Sequence, residues 1–120
     1  MKNRKMNVLG TEWNILFETI KENDVFATCD GYCDPSVKKI HVRVYTDEDV
    51  KNSEFGYESR EVMRNKCTRH EILHAFMYES GLWRNSFDPP IQWAMNEEMI
   101  DFFAIQSPKI FKLFQQLDIL

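Results

Sequence analysis

The sequence predicts an α+β domain with its strands first and its helices after. Three observations carry that reading: residue alternation at period two before Tyr45, helical periodicity from about Ser59 onward, and no repeat, linker or low-complexity tract between them. At 120 residues one domain is expected, spanning 1–120, and a chain of that size can bury its own core.

The first strands sit in "NVLGTEWNILFET", where Gly10-Thr11 reads as a hairpin turn. Trp13, Ile15 and Phe17 fall on one face of the second strand, and Asn14, Leu16 and Glu18 on the other. "ENDVFATCDGYCDPS" reads as loop, with "VFATC" able to add a short strand. "KKIHVRVY" alternates more cleanly, with Ile40, Val42 and Val44 opposed to Lys39, His41, Arg43 and Tyr45, as in a half-buried strand. The sheet is therefore expected to be small and mostly antiparallel.

From Ser59, a possible cap, to the stop signal Gly81 the pattern is helical. Val62, Met63, Cys67, Ile72, Leu73, Ala75, Phe76 and Met77 spread round the axis, which places this helix in the middle of the domain. "WRNSFDPP" is a loop whose Asp88, Pro89 and Pro90 signal a second helix through "IQWAMNEEMIDFFAIQ". Ser107 and Pro108 signal a third, over "SPKIFKLFQQL". The expected architecture is a sheet packed on the central helix with two further helices behind it.

Composition excludes several functions. Apolar residues make up 43% and charged residues 28%, a globular balance, and the net charge of −4 supplies no basic field for nucleic acid or anionic lipid. "MKNRK" is a short basic run with no apolar segment behind it, so no signal peptide is expected, and no apolar run approaches a membrane span. Three cysteines, an odd number, suit reduced thiols and a cytoplasmic location.

Chemistry concentrates in "CTRHEILHAF". His70 and His74, four apart, project side by side from adjacent helical turns and can share one tetrahedral zinc. Glu71 is rotated about 100° from His70, where it can act as general base toward a zinc-activated water. Random placement of the three His and the Glu of this chain gives the pattern in roughly one sequence in two hundred. Satisfied helix polar residues are the alternative, but burying two imidazoles and a carboxylate in an apolar helix costs several kcal/mol unless something compensates them. A third ligand is expected from "MNEEMID" on the next helix: Glu97, with Asp101 one turn on to accept the Nδ1–H of a liganding histidine.

"HEILH" followed by "NEEMID" resembles the gluzincin pattern of metallopeptidases, and with "GYCD…KKIHV" and "EEMIDFFA" the chain is most similar to small ImmA/IrrE-like and minigluzincin proteins. Many of those come from prophages and mobile elements. The resemblance covers about residues 27 to 106. It implies a zincin-like domain, one zinc on His70, His74 and Glu97, Glu71 as base and Asp101 as the residue behind the ligands. It also implies a peptide or protein substrate, a transcriptional repressor in the better understood relatives, with no nucleic-acid or membrane partner.

Two rival functions follow from the same residues. Cys29 and Cys33 with His70 and His74 make a Cys₂His₂ set for a structural zinc, although their gap is longer than a zinc finger uses and Glu71 is left without a role. A non-catalytic, zinc-stabilised interaction domain is the other. Cys67 reads as a small buried residue and His41 as an exposed one. Tyr78, His41, Tyr45 and Tyr57 are the candidate donors to an oxyanion. Trp83, Phe87 and Trp93 are candidates to line a pocket, and "FFAI" and "IFKLF" read as core or as a partner surface.

Overall fold

A computed structural model describes residues 2–52, 57–85 and 92–120. The chain is α+β. Strand β1 (Arg4–Val8) turns back at Leu9 and Gly10, both at positive φ, into β2 (Thr11–Glu18). The chain then passes through a 3-10 turn, Asp24–Ala27, to β3 (Gly31–Asp34), and a tight turn leads to β4 (Lys39–Arg43). Among the described residues four helices follow: α1 (Asp47–Lys51), α2 (Tyr57–Glu79), α3 (Leu82–Asn85) and α4 (Glu97–Gln116).

The sheet order is β1-β2-β4-β3. The β1–β2 and β3–β4 pairings are antiparallel, but β4 enters between β2 and β3 and runs parallel to β2. The sheet is mixed, where a mostly antiparallel one was expected. The cause is β3, which lies in the segment read as loop. Because the chain crosses from the end of β2 to β3 before turning back into β4, β4 has to arrive in the direction of β2.

The alternation in β2 and β4 does what it predicts. Trp13, Ile15, Phe17, Ile40 and Val42 are buried together with Val8 and with Ala75 of α2. Helix α2 lies between this face of the sheet and α4. Glu79 ties the C-terminal end of α2 to the sheet. It accepts from Trp13 Nε1 at 2.8 Å and from Thr11 Oγ1 at 3.3 Å, and pairs with Lys38 Nζ at 2.9 Å. Gly81, at φ +83, ends the α2 region as its sequence position suggested.

Three other expectations are corrected. "VFATC" holds the 3-10 turn, capped by Asn23 through its side chain on Val25 N, and buries Phe26. The second helix does not run through Gln92–Met95. Trp93–Met95 is a 3-10 turn, and α4 starts at Glu97 behind the cap of Asn96; Asp88, Pro89 and Pro90 lie outside the described residues. Nor is there a separate third helix, because α4 continues through Pro108 to Gln116. Proline removes the amide that would bond the Ala104 carbonyl. Arg69 of α2 donates its Nε to that carbonyl instead, so the helix is not forced to break. Among the described residues no helix is long and apolar enough to cross a membrane.

Candidate metal centre

The i, i+4 spacing on α2 stacks His70 and His74 with their Nε2 atoms 3.1 Å apart. The Asn96 side chain accepts from Met99 N at 2.8 Å and fixes where α4 begins, which puts Glu97 in its first turn, facing the two rings. Glu97 Oε2 is 3.0 Å from His70 Nε2, and its Oε1 is 3.1 Å from His74 Nε2. One turn further along α4, Asp101 Oδ1 lies 2.8 Å from His70 Nδ1. Glu71 sits beneath, 6% exposed, with Oε1 4.0 Å from His70 Nε2. The structure thus brings together His70, Glu71, His74, Glu97 and Asp101. Glu98 makes no polar contact with the histidines among the described residues.

The arrangement has a chemical consequence. An ionised Asp101 only accepts, so His70 donates through Nδ1, and in the neutral ring its Nε2 then carries a lone pair. That lone pair faces the acceptor oxygens of Glu97 at 3.0 Å and a second imidazole nitrogen at 3.1 Å. Acceptors so close need a hydrogen between them, such as a ring N–H supplies, or a metal ion in its place. Burial lowers the His74 pKa and favours its neutral, ligating form. Ligand atoms around a tetrahedral zinc lie roughly 3.3 Å apart, so small adjustments would admit the ion. The donor set fits zinc.

The group opens on a cavity of about 390 Å³ walled by Gly31, Tyr32, Cys33 and Pro35 on one side and by Tyr78, Trp83 and Met95 on another. Sequence reading missed the β3 wall and Met95, although it had Trp83 as a pocket candidate. Gly31 is there because nothing larger fits: a Cβ would lie 2.5 Å from Cys67 Sγ, 3.0 Å from the His41 carbonyl and 3.3 Å from Glu71 Cγ. Edge strand β3 therefore rests directly on the helix that carries the histidines; in the sequence it showed only as the "GYCD" of the resemblance.

Burial raises the Glu71 carboxyl to about 7, with Glu97 and Asp101 adding in the same direction against His70. Burial likewise pushes the Cys33 and Cys67 thiols up to about 12. All three cysteines are free thiols. His70, Glu71 and His74 offer ligand atoms within 4.8 Å of one another, and neither Cys29 nor Cys33 belongs to that group.

Of the four oxyanion candidates, Tyr78 lines the cavity. Its ring is held edge-on by Trp13 at 6.1 Å, with Lys38 Nζ 4.1 Å over its face. His41 alternates onto the sheet face away from the core, and it is not the exposed residue its strand position suggested. Its Nδ1 is 2.6 Å from Glu18 Oε1 and its ring stacks on Tyr32 at 4.4 Å. Tyr45 donates to Asp30, and the Tyr57 and Phe87 side chains lie outside the described residues. Trp93 is exposed. Protein families, curated proteins and solved structures were compared with the chain, and none matches.

Proposed function

We propose that this chain is a zinc-dependent metallopeptidase of the gluzincin type with zincin-like packing. The observation that supports this best is the convergence of two Nε2 atoms and the Glu97 carboxylate within 3.1 Å of one another, above a buried glutamate. His70, His74 and Glu97 would hold one zinc, and Asp101 would fix the His70 ring. When bound, zinc would supply Lewis acidity to the scissile carbonyl and to an attacking water.

Glu71 then has a proton to move. It accepts one from the water as the C–O bond forms and returns it to the amine as the C–N bond breaks. Tyr78, which lines the cavity, would be the donor to the oxygen that gains charge at the carbonyl. β3 is an edge strand beside the cavity, so an extended peptide could pair with it and lie across the site. A phage or mobile-element regulatory protein, such as a repressor, is the substrate class the sequence resemblance favours.

Co-expression with repressors from the same genome, comparing wild type with Glu71→Gln, tests the reading. A cut made by wild type and lost with zinc-loaded Glu71→Gln is expected. Equal cleavage by both proteins would remove Glu71 from the mechanism. Full zinc binding with no cleavage of any partner would favour the second reading, a zinc-stabilised interaction domain.

A further inference from the structure

Helix α4 packs on α2 through Ile100 and Ala104 and leaves another face open. Centred on Ile105, that face carries the residues three, four and seven positions away on either side, which share one side of an α-helix. In chain order they are Glu98, Asp101, Phe102, Ile105, Pro108, Lys109 and Lys112, and every one of them is exposed. Phe102 is 54% and Ile105 45% exposed. Glu98, Lys109 and Lys112 make no ion pair among the described residues. The helix dipole explains acids early and lysines late in α4. It does not explain two large apolar side chains held in solvent between them.

We propose that this stripe is a self-association surface on which α4 pairs antiparallel with α4 of a second copy about a two-fold axis at Ile105. The order acid, acid, Phe, Ile, Pro, Lys, Lys is complementary to its own reversal. Reversal sets Glu98 beside Lys112 of the second copy and Asp101 beside its Lys109. Phe102 then meets Pro108, and the two Ile105 side chains meet on the axis. A two-fold axis makes both halves of the contact the same, which a self-complementary stripe requires. Parallel pairing would oppose like charges. Asp101 can keep Oδ1 on His70 while its outer side meets the lysine. A stripe one helix long buries roughly 600 Å² per chain, the low end for a specific interface, so association of micromolar strength is expected.

Sedimentation equilibrium of the full chain from about 5 to 500 μM tests this. A dimer that dissociates within that range is expected, and Ile105→Asp should leave monomer throughout. Glu98→Lys and Lys112→Glu should each weaken the dimer about tenfold, since either change sets like charges together at two symmetry-related pairs. Combining the two should restore it to within about threefold of wild type. Circular dichroism on each variant checks the fold, which these exposed positions should not disturb. A wild-type monomer at every concentration, a dimer that survives Ile105→Asp, or a double variant no tighter than the single ones would overturn the proposal.

Discussion

Replacing Gly31 with alanine should show how closely β3 and α2 are fitted. The added Cβ would lie 2.5 Å from Cys67 Sγ and 3.0 Å from the His41 carbonyl oxygen. Relaxed contacts are roughly 3.5–4.0 Å, so the sulfur would have to give by about an ångström. Cys67 packs against the core, and the carbonyl belongs to the β3–β4 ladder, so neither retreats freely. Overpacking of this kind costs about 1–3 kcal/mol, and the upper half of that range is expected here. Cys67→Ala removes the nearer obstacle and on its own should cost about 1 kcal/mol for the lost half-buried sulfur. In the double variant the clash with sulfur disappears while the one with the carbonyl stays. Its total should therefore fall short of the sum of the single changes by about 1–2 kcal/mol. Urea unfolding followed by circular dichroism and by the fluorescence of buried Trp13 measures all four corners of the cycle. Additivity within about 0.5 kcal/mol, or a neutral Gly31→Ala, would refute the close approach.

Other consequences are as specific. The Lys38 hydrogen bond, with Trp13 and Thr11, holds the Glu79 carboxyl below its ordinary 4.5. A carboxylate depressed in the fold stabilises it above its unfolded pKa, and the contribution is lost as pH falls through the folded value. Glu79→Gln should thus cost about 1–3 kcal/mol at pH 7 and progressively less below about pH 4.5, read from thermal unfolding across pH. Arg69→Met leaves the Ala104 carbonyl without its donor and should cost about 1–3 kcal/mol in urea unfolding. In a Pro108→Ala background that penalty should shrink, because the new backbone amide can bond the same carbonyl. In zinc titrations Glu97→Ala should nearly abolish binding, Asp101→Ala weaken it about 10–100-fold, and Glu98→Ala change it little.

What could be read from the sequence was what short-range spacing decides. Period two placed Trp13, Ile15, Phe17, Ile40 and Val42 inside, and a four-residue interval placed His70 beside His74. β3 was absent from the residue pattern, though "GYCD" entered the resemblance, because its four residues sit between Asp30 and Pro35 and gain their meaning only from β4, which pairs with them. The mixed order of the sheet was lost with it. Pro108 misled in a similar way, since the group that lets α4 continue comes from Arg69, far away in the chain. The same limit applies at the site. Spacing suggested Glu97 and Asp101, but the cavity wall at Gly31 depends on a contact between strand and helix that no local pattern records.

The zinc content of protein purified without added metal bears most directly on the central claim. Elemental analysis should find about one zinc per chain in wild type, in Glu71→Gln and in Cys29→Ala, and almost none in His70→Ala or His74→Ala. Wild type that holds no zinc and shows no thermal shift when zinc is added would contradict the account.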